Sequence, residues 1–251
     1  MTLPILYSLQ NCPYAMRARL AILSAQQAVY IRAISMKNKP AEMLAISPKG
    51  TVPVLLLETV VEVEVEVEVE VQGDVDGEII SEQDAQAIST TETRQRVIDA
   101  SLDIMLWALS SNDPENLRYS QHADALPEML KIIEENDEQF KPCLENYKHA
   151  RRFHESSEEH YRLQCEPFVQ QLEHRLAQHE FLMGSTPSLL DYALLPFVRQ
   201  FSRVNRQLYL QGPYTHLQRW LNHHLQSRLF SKAMVKYPLW LDNHEECLFG
   251  R

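Results

Sequence analysis

Apolar positions in the first 57 residues switch between two periods. Leu3–Ser8 is a short apolar run that predicts a strand. Pro13–Ala25 carries apolar residues at Met16, Leu20 and Leu23, with Arg17 and Arg19 facing outward, the spacing of an amphipathic helix. Pro13 sits where a first-turn proline is tolerated, because its missing N–H would have no partner anyway. Val29–Ile34 predicts a second strand, Pro40–Ile46 a short helix and Val54–Leu57 a wholly apolar third strand. Such alternation predicts an α/β layer. From about Pro114 the period is helical only, with helices predicted over Pro127–Asn146, Ser157–His179, Ser188–Val204 and Tyr214–Lys236. Ser188-Leu189-Leu190-Asp191 is a helix-start signal, and Asn112-Asp113-Pro114 supplies a linker. An amino-terminal α/β domain over 1–111 and an all-helical domain over 112–251 are expected.

One segment fits neither half. From Val60 to Val71, valine and glutamate alternate strictly after the first pair. Period two would divide them between two strand faces, which reads as an edge strand or an acidic docking surface. The favoured reading is a low-complexity expansion of a surface loop, since long insertions there raise the closure cost slowly. A hairpin arm pairing the valines with Asp76–Ile80 across Gln72–Asp74 is the alternative. The segment also accounts for the charge. The chain carries a formal −10, yet between Gly50 and Thr93 lie twelve acids and no Lys or Arg. The remainder holds 22 acids against 24 bases, so the body is nearly neutral with one acidic piece added.

Composition removes several classes. Hydrophobic residues at 45% and charged residues at 23% describe a globular chain rather than a disordered one. Neither part has the basic face a nucleic-acid binder needs. No apolar run approaches the ~20 residues that span a bilayer, and Met1–Leu6 lacks a basic flank, so neither membrane nor secretion is expected. Four cysteines at 12, 143, 165 and 247 make a poor disulfide framework, which points to a reducing cytoplasm.

The chemistry concentrates in Asn11-Cys12-Pro13-Tyr14-Ala15-Met16-Arg17, which places a cysteine where the first strand meets the first helix. Unpaired N–H groups and the positive end of the helix dipole favour thiolate there. Ala15 occupies the resolving position of a Cys-x-x-Cys pair, so one-thiol chemistry with an external thiol follows. A second signal is Lys49-Gly50-Thr51-Val52-Pro53-Val54-Leu55, where a proline precedes an apolar strand. A cis Val52–Pro53 bond would leave the Val52 backbone as a pairing edge.

With these two motifs in order the chain resembles the cytosolic glutathione transferases, particularly omega-like and bacterial cysteine-type members. Met36-Lys37-Asn38-Lys39-Pro40, Val97-Ile98-Asp99-Ala100-Ser101-Leu102, Leu190-Asp191-Tyr192-Ala193 and Tyr237-Pro238-Leu239-Trp240 extend the match over nearly all of the chain except about 59–94. The resemblance implies a thioredoxin-like amino-terminal domain, an all-α carboxyl-terminal domain, and an acidic insert between strands three and four. It implies glutathione as co-substrate, a small electrophile or a disulfide as second substrate, a homodimer and no metal. Carried over by residue, Cys12 would be the nucleophile forming a mixed disulfide. The Val52 backbone beside Pro53 would pair with the cysteinyl part, Ser101 would bind the γ-glutamyl carboxylate, and Lys39 would answer the glycyl carboxylate. Ala100 departs from the pattern, because a glutamate usually precedes this serine. Ser101 is preferred to Ser81, whose Gly77–Glu82 context echoes the same turn. The activity implied is thiol transfer or reduction with weaker conjugation; the alternative is a non-enzymatic interaction or stress-response module on the same fold.

Other candidates read as structural. Tyr7 is expected to be a buried tyrosine and Asp191 a helix-start residue. Arg17 and Arg19 are expected to be solvated, with Arg17 one turn from Cys12 and able to support a thiolate. Cys143, Cys165 and Cys247 read as packing or surface thiols, and the histidines lack zinc spacing.

Overall fold

A computed structural model describes the backbone of residues 2–70 and 83–251, and the side chains of these except 60–70 and 83–93. The amino-terminal layer runs β1 Ile5–Ser8, α1 Pro13–Ser24, β2 Val29–Ala33, α2 Ala41–Ile46, β3 Val54–Glu70, β4 Gln83–Ile98 and α3 Ser101–Ser111. The helical part follows as α4 Ala125–Glu135, a π-helical turn Asn136–Phe140, α5 Lys141–Phe153, α6 Glu158–Gln178 and α7 Leu189–Val204. It closes with α8 Arg206–Gln211, α9 Thr215–Gln226, α10 Arg228–Ala233, α11 Trp240–Asn243 and a final strand, β5 Cys247–Phe249. The sheet order is β4-β3-β1-β2-β5, with β1 and β2 parallel and every other pair antiparallel. This is the thioredoxin-like layer followed by a helical domain.

Alternation along β1 separates two cores. Leu6 enters the large cluster that runs on through α1 and α3 into α7 and α9. Tyr7 enters a smaller one with Ile34, Met43, Val52 and Val54, under α2. Between the sheet and the bundle lies α1, packed against α3, α7 and α10 and buried from Ala15 to Ser24. Ala15, Ala18 and Ala21, three apart on one face, have no exposed surface, and their small side chains permit close approach.

That packing overturns one expectation. Arg17 and Arg19 are not solvated but 0% and 1% exposed. Arg17 donates from Nε to the Ala193 carbonyl at 2.7 Å and from both terminal nitrogens to the Asp137 carboxylate at 2.7 and 2.8 Å. Its guanidinium also lies 4.5 Å from the Phe197 ring centre. The helix therefore has no solvent face, because the bundle covers the side that a lone α/β layer would expose.

Element boundaries differ in three further places. The helix expected over Pro127–Asn146 continues to Phe153, where His154 turns left-handed at φ 54°. The one expected over Tyr214–Lys236 breaks at Ser227, whose extended backbone lets its hydroxyl accept from Phe230 N at 3.0 Å and start α10. The Val–Glu segment is not a loop between strands. β3 and β4 continue as one antiparallel ribbon from Leu55↔Ile98 to Glu70↔Gln83. The pairing expected with Asp76–Ile80 falls on residues outside those described. No described helix is long and apolar enough to cross a membrane.

Candidate active site

The turn between β1 and α1 holds the thiol. Cys12 N donates back to Leu9 O at 3.2 Å, and Cys12 O accepts from Met16 N at 2.9 Å. Cys12 thus has the extended backbone of a helix cap (φ −75°, ψ 124°), with Pro13 as the first helical residue. The cap side chain bonds no helix N–H, so the half-buried sulfur is left to other work. Behind the turn, Arg19 donates to the carbonyls of Leu9 and Gln10. Leu9 O is thereby shared between the Cys12 amide and a buried cation.

Across from the thiol lies the Val52–Pro53 bond, which is cis. Cys12 Sγ is 3.7 Å from Val52 O, the distance at which a thiol donates to a carbonyl. Only the S–H form can donate, so ionisation of Cys12 would free that carbonyl. The segment leading to Val52 is fastened to the start of α3. Ser47 Oγ donates to Asp99 Oδ2 at 2.9 Å, and Lys49 Nζ pairs with Asp99 Oδ1 at 2.9 Å. The Lys49 bond is the main cause that holds the Asp99 carboxyl below its ordinary value.

The remaining candidates lie on the neighbouring segments. Gly50, at φ +60°, lies beside Lys39, whose Nζ is 3.1 Å from where a Gly50 Cβ would sit. Ser101 is the buried first residue of α3, two positions past Asp99. Ala100 caps that helix without a side-chain acceptor. Cys12 and Val52 share a hydrogen bond, Lys39 lies beside Gly50, and Ser101 begins the helix that follows Asp99. Ser81 lies outside the described residues.

Sequence reasoning passed over Ser47, Lys49 and Asp99. The clue was there, since Asp99 precedes Ala100-Ser101 and Lys49 opens the Val52–Pro53 motif, but pairing across 50 residues has no local signal. Arg19 was passed over because its helical spacing reads as an outer face. Tyr7 is structural as expected: it is 1% exposed, its hydroxyl accepts from Arg32 Nη1 at 2.9 Å, and burial pushes its phenol up. Asp191 is likewise structural, accepting from Ser188 N, Leu182 N and Trp220 Nε1 while fully buried.

Comparison with known proteins bears on the family and the fold. Residues 6–69 match the model of the glutathione S-transferase amino-terminal domain, and residues 156–223 match that of the carboxyl-terminal domain. A search of curated proteins found no match. Among solved structures, a glutathione transferase family member from Pseudomonas fluorescens with two glutathione bound is 15% identical, with 92% of each chain covered and a TM-score of 0.68. A glutathione transferase from Burkholderia graminis, also with two glutathione molecules per subunit, is 15% identical, with 92% of this chain and 87% of that one covered and a TM-score of 0.65. Glutathione transferase Omega 1C from Trametes versicolor is 17% identical, with 94% and 92% covered and a TM-score of 0.63. At such identities the solved structures speak for the fold, while the two domain models, which together span more than half of the sequence in the order the fold requires, place this chain in the glutathione S-transferase superfamily.

Proposed function

We propose that this glutathione S-transferase superfamily member is a cysteine-type thiol transferase that forms a mixed disulfide with glutathione at Cys12. The observation that carries the reading is the capping position of Cys12, with its sulfur 3.7 Å from the carbonyl of the cis Val52–Pro53 bond. A helix start supplies N–H groups and a positive dipole end for a thiolate. In the forward step the Cys12 thiolate attacks the glutathione sulfur of a mixed disulfide substrate. The sulfur–sulfur bond breaks, the substrate leaves as a thiolate, and Cys12 carries glutathione. A second glutathione thiolate then attacks the glutathione sulfur on Cys12, releasing glutathione disulfide and restoring the Cys12 thiolate. With Ala15 one turn on, no internal thiol competes for that second step.

Glutathione would lie along the thiol turn and its neighbouring segments, with the Val52 backbone pairing as an added strand, Ser101 at the start of α3 taking the γ-glutamyl carboxylate, and Lys39 the glycyl carboxylate. Weaker conjugation of electrophiles fits the same arrangement. Cys12→Ser should abolish glutathione-dependent reduction of hydroxyethyl disulfide and leave thermal unfolding unchanged. Retained reduction in that variant would end the cysteine-type assignment.

One observation favours a second reading, a non-enzymatic interaction module on the same fold. Ala100 offers no acceptor for the γ-glutamyl ammonium, and Asp99 is already held by Lys49 and Ser47. Calorimetry that finds no saturable glutathione binding would select it. We also propose a homodimer in a reducing cytoplasm; light scattering at micromolar protein reads the mass directly, and a monomer would reject it.

A further inference from the structure

Charge is distributed along this chain in two blocks of opposite sign. The twelve acids without a base between Gly50 and Thr93 have a counterpart from Tyr192 to Leu241, where seven Lys and Arg occur and no acid. Folding leaves part of that second block without counter-charges. Among the described residues, Arg199, Arg203, Arg206 and Arg228 pair with no carboxylate, whereas Arg32, Arg151, Arg162 and Arg175 elsewhere on the molecule each do.

These four cations lie on α7 and on two helices that touch it. Arg199 and Arg203 stand one turn apart on α7, and burial, followed by the charge of Arg203, brings the Arg199 guanidinium below its ordinary value. Arg199 also lies 5.7 Å from the ring centre of Phe230 on α10, the helix that Arg228 begins. Arg206 begins α8, which packs against α7. Arg203, Arg206 and Arg228 are exposed, and the buried Arg199 Nε has no partner. Like charges set one turn apart without a counter-charge are a standing cost that an acidic surface would remove.

The acidic block belongs to the β3–β4 ribbon. The register sets the glutamates from Glu62 to Glu70, at every second position, opposite Thr91, Ser89, Ala87, Ala85 and Gln83, so no base faces them across the pair. From Glu58 to Glu70 a strand covers about 40 Å, and residues on one of its faces recur about every 6.7 Å, close to the ~6 Å between residues four apart on a helix. The ribbon leaves the sheet at its β4–β3 edge, whereas α10 lies by the opposite edge, with Lys232 Nζ donating to the carbonyl of Arg251 just past β5 at 3.4 Å. We propose that the ribbon of one copy docks by its glutamate face on the basic helices α7, α8 and α10 of a second copy. Both halves of the contact are encoded in one chain, so a second copy is the partner always present with it. The contact is independent of thiol transfer at Cys12 and adds to the homodimer proposed above.

Sedimentation velocity of the full chain over a range of concentrations tests it, at about 0.05 M and about 1 M salt. A larger species should form with concentration at low salt and be lost at high salt, where the screening length falls to about 3 Å. The mass that persists at high salt reports on the homodimer, so the two proposals can fail separately. Two full-chain variants locate the contact: Arg203→Glu with Arg206→Glu, and Glu64→Lys with Glu66→Lys and Glu68→Lys. Thermal unfolding verifies that each is folded. Each alone should associate at least about tenfold more weakly than the parent. Their mixture should recover the larger species, because the first supplies an intact ribbon and the second intact basic helices. Absence of salt-sensitive association, parent-like association of either variant, or a mixture that recovers nothing would overturn the proposal.

Discussion

Single residues in this chain behave according to what surrounds them rather than to their type. His224 shows this most plainly. It is 2% exposed, among Trp220, Tyr192 and Phe181, with His223 beside it. Burial pushes its imidazole down to about 3, and Asp191, 4.0 Å away, is already engaged by other donors. The unfolded chain protonates this histidine below the ordinary value of 6.5, while the fold refuses the proton until about 3. Stability should therefore be undiminished above that ordinary value and fall as the solution is acidified, by up to ~1.4 kcal/mol per pH unit. Asp191, whose carboxyl burial pushes up, acts with the opposite sign, so the comparison of interest is with His224→Gln. Denaturant unfolding from pH 7 to 4 should show a shallower acid loss in that variant; parallel curves would refute the assignment.

At the scale of elements, the β3–β4 ribbon and the carboxyl-terminal strand attach to the sheet differently. β1 pairs with β3 only over residues 54–56, and β4 reaches that level only at Val97 and Ile98. The described residues between 59 and 94 lie beyond the part of β3 that β1 engages. Replacing 59–94 by an Asn-Gly turn should keep the thermal midpoint within a few degrees and leave glutathione chemistry unchanged, since hairpin closure over two residues suits the flanking strands. Collapse of folding would show that the ribbon is structural. β5, by contrast, is only three residues long but is seated firmly. Phe249 is 3% exposed, and a Cβ on Gly250, at φ +98°, would fall 1.7 Å from the Gln27 carbonyl. That glycine lets the tail lie against the sheet edge, which no pattern in the sequence announced.

Across the whole molecule, Arg17 and Asp137 join the two halves. A helix of the α/β layer supplies the cation, and the π-helical turn between α4 and α5 supplies the acid. Asp137→Asn would leave a guanidinium with no exposed surface facing no counter-charge. Removing one partner of a buried pair costs on the order of 3–5 kcal/mol, and about the lower end is expected here because the Asp137 side chain is 31% exposed. Chemical denaturation should register that loss; a change within error would mean that the Ala193 carbonyl and the Phe197 ring suffice to hold Arg17.

What the chain's own order determined is local. Periods of two and 3.6, a proline at the first helical position, a capping cysteine and a Ser-x-x-Asp start depend on neighbours a few residues apart, and each is readable without a fold. The tertiary structure alone decided which face was outside. Arg17 and Arg19 are polar by type but lie on a helix covered on all sides, and their partners, Asp137, Ala193 and the Leu9–Gln10 carbonyls, are assembled only by packing. The same holds for the Ser47–Lys49–Asp99 link and for the tail strand beside β2. Charge pairs and strand pairs form between segments far apart along the chain, and no repeat period encodes that distance.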